Sequence, residues 1–535
     1  MNSVIFNPLD EFQSSLKKTH YDNITSFFES LVKQSGVDIE KNRETVAQYD
    51  NLKLNLNKLK RKLFWLKFLR VIMCITVILI PLVIFKITPK IKKLKEEIKD
   101  ADNNIDKLLK EAFNQMLPLN SLFTDSDALN IIEKTIPLMK FDENFTVKQE
   151  LDMKINYDFS DFNKDEESTL DLLAGNYNGN PFLFENKLIH KMGVETYHGY
   201  KRISWTETYR DSNGKLRTRT RSETLHATVT KPKPFYNTQV VLNYCAQGGP
   251  DLFFSRDASH LEQKNERQLE RYLKRGEKKL KRKTDKSVSQ NKDFVSMANT
   301  DFEVLFDALD RTNEVQFRTL FTPLAQQNMV SLILSKIGYG DDFNFIKSNR
   351  TNKIISNHSQ GRTLNLSRDC YVSYSFDIIK ENFIDKNASY FKAVYFDFAP
   401  ILAIPIYQER PVHSLKPIPE YSQIYSLKEC EALANRVDSS YFVHPDTKTQ
   451  AILKTEYIES EGNVDKTTIH AHSYDIAKRV DVVSVHGGDG RFHNVPVEWD
   501  EYIPLQQSNN FNFSNEQSVK SNSIIERRNG LCIFN

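Results

Sequence analysis

The chain has 535 residues, with 73 Lys and Arg against 70 Asp and Glu, which leaves a net charge of +3. At roughly 100–200 residues per domain this length predicts about three structural units, and a hydrophobic fraction of 39% excludes a wholly disordered chain. The lack of several long apolar runs excludes a multi-span transporter, and a charge so close to neutral gives no reason to expect a nucleic-acid binder.

Apolar periodicity predicts helices throughout the N-terminal 116 residues. A first helix is expected over residues 8–33, with a break at Ser35 and Gly36. Two heptad seams follow, and each is too short to be stable alone, so each needs either its own chain or another copy as a partner. The first seam contains Val46, Tyr49, Leu52, Leu56, Leu59 and Leu63. The second contains Ile91, Leu94, Ile98, Ala101, Ile105, Leu108 and Ala112.

An apolar run between the two seams predicts a single transmembrane helix. Residues 71–85 carry no charge, and with Ile87 the run spans about 25 Å, enough for a bilayer core if Lys67, Arg70 and Lys86 reach the headgroups. We therefore expect a single-pass protein of the cell membrane, with the lipid bilayer as a partner. The predicted membrane-spanning residues are Val71, Ile72, Ile75, Val77, Ile78, Leu79, Ile80, Pro81, Leu82, Val83, Ile84 and Phe85.

The orientation of this span stays open. Seven basic residues precede the apolar run and six follow it, so the positive-inside rule does not decide which side the large domains occupy. Basic flanks on both sides also suit a shallow re-entrant hairpin that turns at Pro81.

Past Met116 the pattern changes to short strands. Residues 203–209 and 215–229 alternate in polarity around the turn at residues 211–214, which predicts a β-hairpin. The later expected elements are a helix from Thr322 and Pro323 to Gly338, and strands at residues 343–346 and 354–355.

Three stretches of this region occur in a characteristic order. They are AGNYNGNPFLFENKL (174–188), WTETYRDSNGKLRTRTRSETLHATV (205–229) and DFEVLFDALDRTNEVQFRTLFTPLAQQNMVSLILSKIGYGDDFNFI (301–346). This order resembles an uncharacterised bacterial membrane family, Domain of Unknown Function 3137, over roughly residues 150–357. The resemblance implies an α+β domain at a membrane, and it implies no activity and no catalytic residues. The chain departs from the family in having room for one membrane helix instead of two, and in its long C-terminal extension.

The predicted fold class is α+β, with an N-terminal helical and coiled-coil region, a single transmembrane helix, an α+β domain and a second mixed α/β region. The predicted boundaries are 1–62 for the N-terminal helices, 63–87 for the transmembrane helix, 88–116 for the membrane-proximal heptad helix, 117–360 for the α+β domain, 361–505 for the mixed region and 506–535 for a flexible tail.

A basic cluster is the first candidate site. The eight basic side chains are Arg271, Lys274, Arg275, Lys278, Lys279, Lys281, Arg282 and Lys283. Such a helix could contact anionic headgroups or phosphates, or it could be an ordinary solvated helix end. Aromatic residues for base stacking are few, which argues against single-stranded nucleic acid.

Two further charged motifs have ordinary structural explanations. Arg217, Arg219 and Arg221 alternate along a strand and share one face, which suits either an acidic partner or a plain solvent face. Residues 339–342 read YGDD, a tetrad also found in polymerases, but here the tetrad follows a helix end and lacks a companion metal-binding aspartate.

Four histidines form a candidate metal site. His470 and His472 alternate on a predicted strand, and His486 and His493 bracket a glycine-rich turn. The spacing matches no known zinc module, and the five scattered cysteines predict neither disulfides nor a cysteine metal site, so no cofactor is predicted.

The functional prediction is a non-enzymatic scaffold or binding module with an unknown protein partner, able to self-associate through the heptad helices. One alternative is a surface-displayed protein that binds an extracellular ligand. The other is a metal-dependent enzyme that uses the histidines between residues 470 and 493.

Overall fold

The computed structural model describes residues 5–75, 83–160, 166–290, 294–411, 416–437, 439–462, 464–514 and 531–533. The α-helices are α1 Pro8–Glu11, α2 Lys17–Ser35, α3 Ile39–Ile75, α4 Thr88–Asn120, α5 Asp127–Thr135, α6 Val147–Tyr157, α7 Glu266–Ser289, α8 Thr300–Phe306, α9 Glu314–Leu320, α10 Pro323–Leu334, α11 Phe376–Leu402 and α12 Leu427–Arg436. The strands are β1 Met139–Phe141, β2 Glu167–Tyr177, β3 Asn180–Arg210, β4 Leu216–Cys245, β5 Phe253–Arg256, β6 Phe343–Ser348, β7 Thr351–Ser356, β8 Ile452–Glu461, β9 Val464–His486, β10 Phe492–Ser514 and β11 Leu531–Ile533. Two π-helical turns are Phe12–Leu16 and Val83–Ile87.

These elements form two compact units. One contains residues 10–137 and 365–395 and is helical. The other contains residues 1–9, 138–364 and 396–535 and holds both β-sheets. The predicted C-terminal region of residues 361–505 is therefore divided between the two units.

The helical unit contains an antiparallel pair made by α3 and α4. Near one end of the pair, the amide of Gln115 donates to Thr45 at 3.0 Å, and further along Lys60 lies 3.2 Å from Asp102. Every residue of the two predicted heptad seams is buried or partly buried. The seams therefore pack within one chain, and their burial needs no second copy.

The single transmembrane helix was a wrong prediction. Within the described ranges, no helix combines the length and the apolar character that a bilayer crossing requires. The described residues divide this segment between α3, which carries Lys67 and Arg70 near its end, and a π-helical turn that contains Lys86, so neither element has an apolar stretch long enough to span a bilayer. The fold class is therefore α+β without the predicted span, and the single-pass membrane location is not supported. Predicted span residues Val77, Ile78, Leu79, Ile80, Pro81 and Leu82 lie outside the described residues.

Several described side chains from the same segment are solvent-exposed. Val71, Ile72 and Phe85 are exposed, as are Phe64 and Trp65, whose rings meet edge to face at 6.0 Å. Ile75 ends the described part of α3, and Val83 and Ile84 begin the π-helical turn.

The second unit is built on a seven-stranded antiparallel sheet in the order β1-β2-β3-β4-β7-β6-β5. A four-stranded sheet, β11-β10-β9-β8, lies in the same unit. Helix α12 packs against both sheets. Cys430 and Leu433 are buried against Leu453 and Ile469 of the four-stranded sheet, and Ala432 is buried in a cluster with Leu172 of the seven-stranded sheet. The turn predicted at residues 211–214 joins β3 to β4, and Gly214 adopts the positive φ of 76° that this turn requires.

Two of these hairpins are far longer than the sequence pattern predicts. Strands β3 and β4 have 31 and 30 residues, and β9 and β10 have 23 each. Beyond the sheet cores the two hairpins stack face to face, and we call the stacked part the arm. Its interior consists of Ile203, Leu225, Ala227, Val495 and Val497.

The arm requires close backbone approach at one glycine. A Cβ atom on Gly199 would lie 2.2 Å from the carbonyl oxygen of Pro496, so only glycine fits there. Residues 506–514, predicted as part of a flexible tail, instead form the last part of β10. The rest of the predicted tail lies outside the described residues, apart from β11.

A buried lysine in β6 gives a pH-dependent prediction. The ammonium of Lys347 is fully buried and donates to the carbonyl oxygens of Gly248 (2.8 Å) and Asn349 (2.6 Å). Burial lowers the pKa of Lys347 from 10.5 to about 7. Because the unfolded chain holds this proton more tightly, the free energy of unfolding should rise with pH between about 7 and 10.5, by at most about 1.4 kcal/mol per pH unit.

Urea denaturation of the wild type and Lys347→Met at pH 6, 8 and 9 measures this effect. The difference in unfolding free energy between the two proteins should favour the wild type least at pH 6 and should grow in favour of the wild type at pH 8 and again at pH 9. A difference that does not change with pH would show that Lys347 keeps its ordinary pKa in the folded state.

Candidate anion-binding site

Helix α7 carries the predicted basic cluster and begins at a well-formed N-cap. The side chain of Asn265 accepts a hydrogen bond from the backbone N–H of Gln268 at 2.9 Å, and the side chain of Gln268 accepts one from the backbone N–H of Asn265 at 3.1 Å. This capping box fixes the start of a helix of 24 residues, about 36 Å long.

One face of α7 packs against its own unit. Leu280 and Ser287 are buried, and Gly276 lies directly against Val304 of α8. A Cβ on Gly276 would lie 2.1 Å from a methyl group of Val304, so the glycine permits the close approach of the two helices. The packed face fixes which side of α7 points outward.

Three of the predicted cations have partners within the unit. Lys274 pairs with Glu270 at 2.6 Å, and Lys279 pairs with Asp307 at 3.3 Å. Lys283 turns inward, donates to the carbonyl oxygen of Leu309 and lies 4.2 Å from the ring centroid of Phe294. Burial, and secondarily the charge of Arg311, lowers the pKa of Lys283. These lysines therefore contribute to structure.

The other cations form an exposed row along the outer face. Their spacing of three and four residues places them on one side of the helix. Within the part of the chain that the structure describes, none of their side chains has an acidic partner, and all are exposed. We call this row the basic ridge; it consists of Arg267, Arg271, Arg275, Lys278 and Arg282, and Lys281 flanks it.

The ridge differs from the predicted cluster at both ends. Arg267 was missed because it precedes the dense basic run, although its spacing of four residues from Arg271 places it on the same face. Asp285 follows Arg282 by three residues and ends the row of positive charge. The ridge is about 22 Å long, with about 4–6 Å between successive charges along the axis.

The four predicted histidines do not come together. His470 and His486 lie on the same strand, sixteen residues apart, which is about 50 Å along an extended chain. His470 contacts Ser508 (2.8 Å) and Glu456 (3.2 Å), whereas His493 contacts Asp489 at 3.0 Å. His472 lies opposite Gln506 in the ladder. Across the described ranges, no group of three or more His, Cys, Asp or Glu side chains could hold a metal ion.

The two carboxylates of the YGDD tetrad form ion pairs and hydrogen bonds inside the protein. Asp341 forms a buried ion pair with Arg256 and accepts a hydrogen bond from the Ser259 hydroxyl at 2.6 Å. Asp342 contacts His358 at 2.6 Å, and the His358 ring stacks on Tyr339 with centroids 3.7 Å apart. This arrangement holds the loop before β6 in place.

Comparisons of the chain with models of known protein families, with curated proteins and with solved structures found no match. The resemblance to Domain of Unknown Function 3137 thus stays a prediction.

The contact between Gly276 and Val304 predicts a coupled effect on stability. Gly276→Ala should lower the free energy of unfolding by about 1–3 kcal/mol because the new methyl group overlaps Val304, although alanine is otherwise the better helix former. In a Val304→Ala background, which lacks the nearest methyl groups, the same change should cost much less. Thermal and urea unfolding of the four proteins measures the coupling, and equal costs in both backgrounds would contradict the packing.

The pair of Arg256 and Asp341 predicts a large effect from a single change. Asp341→Asn should lower the free energy of unfolding by about 3–5 kcal/mol, because it leaves a buried guanidinium without its counter-charge. The exposed pair of Arg43 and Asp377, 2.8 Å apart, is the control, and Asp377→Asn should cost less than about 1 kcal/mol. Urea unfolding of both variants tests the contrast, which fails if the two changes cost the same.

Proposed function

We propose that this protein is a non-enzymatic binding module whose basic ridge binds polyanionic partners. The observation that carries the proposal is the row of outward cations without acidic partners among the described residues. Lys274, Lys279 and Lys283 on the same helix are engaged by their own unit, so the ridge is the part of the cluster left to act on a partner.

The shape of the site favours an extended anion over a compact one. Charges 4–6 Å apart along about 22 Å can follow a chain of regularly spaced phosphates or sulfates. The ridge has no concave wall that could enclose a small ligand, because it is the convex outer face of a single helix. Arginine, which supplies most of the ridge, binds such groups through two parallel hydrogen bonds.

A lipid surface, the other anionic partner predicted for these residues, finds less support. An interfacial helix inserts an apolar face between the headgroups. The apolar side of α7, with Leu280, is buried against the protein's own interior. Val288, near the C-terminal end of α7, is the one large apolar side chain of this helix that is mostly exposed, so attraction of the ridge to a lipid surface would rest on electrostatics.

Binding to heparin tests the proposal. Arg275→Gln with Lys278→Gln should weaken binding about tenfold at low salt and make its salt dependence shallower, because two charge contacts are lost. Affinity is measured by fluorescence anisotropy from 50 to 300 mM salt, with helicity checked by circular dichroism.

The matched control lies on the same helix. Lys274→Gln with Lys279→Gln removes two charges that are already paired with Glu270 and Asp307, and it should change heparin affinity less than twofold. Equal losses in both double variants would reduce the effect to net charge, and unchanged binding in the ridge variant would overturn the proposal.

A further inference from the structure

The first hairpin of the arm extends beyond the second. The turn of the second hairpin ends against the first at Trp205 and Glu223, where the backbone N–H of Gly488 donates to Glu223 at 2.7 Å. Residues 206–220 continue past this point as a two-stranded ribbon, which we call the projecting ribbon. Among the described residues, its side chains make contacts only within the hairpin and are almost all exposed.

The ribbon presents chemically different faces. One face carries Glu207, Tyr209, Arg217 and Arg219, with Arg221 next in line. The opposite face carries two cross-strand threonine pairs, Thr206–Thr220 and Thr208–Thr218. Guanidinium groups and hydroxyl groups are among the side-chain groups that contact bases and phosphates in protein–DNA complexes.

The arginines of the ribbon are held in place before any partner arrives. Glu207 pairs with Arg219 at 3.1 Å and with Arg221 at 2.7 Å, and Asp211 pairs with Arg217 at 2.8 Å. Each guanidinium has five N–H donors, so each keeps donors for another acceptor after these pairs form. Between Thr206 and Arg221 there are five basic side chains against two acidic ones, so the ribbon stays positive.

The dimensions of the ribbon match a nucleic-acid groove. Two paired strands are about 10 Å wide in the plane of the ribbon, and the major groove of B-form DNA is about 12 Å wide and admits a two-stranded ribbon. The five residue pairs beyond Trp205 reach about 17 Å, more than the groove depth of about 8.5 Å. The ribbon can therefore enter a groove without contact between the rest of the arm and the duplex.

We propose that the projecting ribbon inserts tip first into the major groove of duplex DNA, with its arginine face against one phosphate-lined wall of the groove. This inference rests on the proposed function: the basic ridge binds polyanions in general, and the ribbon gives the protein its preference for duplex DNA. It departs from the expectation based on the net charge of +3, since the positive charge is concentrated on two surfaces.

Binding of the full chain to three probes tests the inference. The probes are a 20-base-pair DNA duplex, one of its single strands, and heparin, which has charge but no groove. In a shortened variant, Asn-Gly replaces residues 206–220 and joins Trp205 to Arg221, which face each other in the ladder and suit a two-residue turn. This variant should lose about tenfold in affinity for the duplex and keep its affinity for heparin within twofold.

A point variant serves if the shortened protein does not fold. Arg217→Gln with Arg219→Gln should weaken duplex binding in the same selective way. Its control on the second hairpin is Lys478→Gln with Arg479→Gln, whose cations are exposed and paired with Asp500 and Glu501 in a similar manner. The control should bind the duplex like the wild type.

The outcomes separate the two proposals. Duplex binding that survives both ribbon variants overturns the ribbon's role and leaves the ridge intact as a polyanion site. Equal affinity of the wild type for the duplex and for the single strand also overturns it. The same holds if polyglutamate displaces the bound duplex as well as unlabelled duplex does. Failure of the wild type to bind heparin overturns the proposed function itself, whatever the ribbon variants do.

Discussion

The arm depends on one narrow apolar contact between two long hairpins. A two-stranded ribbon is marginally stable in water at best, because no other element covers the apolar side chains on its faces. Stacking the hairpins buries Ile203 and Leu225 of one against Val495 and Val497 of the other. The small interior forces the backbones close together, which is why Gly199 lies directly under Pro496. Both the length of the arm and the point at which the ribbon becomes free follow from this contact.

Several buried charges inside the second unit form ion pairs, whereas the buried Lys347 donates to carbonyl oxygens. Arg311 makes two parallel hydrogen bonds of 2.8 Å to Glu303, and both side chains are buried. Burying a cation is unfavourable without such a partner. Lys283, the cation of α7 that turns inward, donates to the carbonyl oxygen of Leu309, and burial lowers its pKa, whereas water solvates the ridge cations. The orientation that Gly276 permits thus decides which cations of α7 face the protein and which face the solvent.

Local features of the fold could be predicted from the sequence, and non-local ones could not. The turn at residues 211–214 and the helix start at Thr322 depend on residues a few positions apart, and both are present. That helix ends at Leu334, before the predicted Gly338, because the residue at which a helix ends also depends on how the following residues pack against the rest of the protein. The apolar run at residues 71–85 suggested a span because hydropathy measures composition alone. The antiparallel pairing of α3 and α4 joins seams far apart in sequence, and no local pattern contains that information.

The candidate surfaces show the same division between local and non-local information. Helical spacing was sufficient to place the cations of α7 on one face, but only the partners contributed by Asp307 and Leu309 distinguish the free cations from the engaged ones. The alternation of Arg217, Arg219 and Arg221 predicted a shared strand face, yet their accessibility depends on where the second hairpin ends. A net charge near zero conceals such surfaces, because the field at close range depends on nearby charges within about a Debye length. Two local positive surfaces on a nearly neutral protein can therefore act on a polyanion while the rest of the chain contributes little attraction.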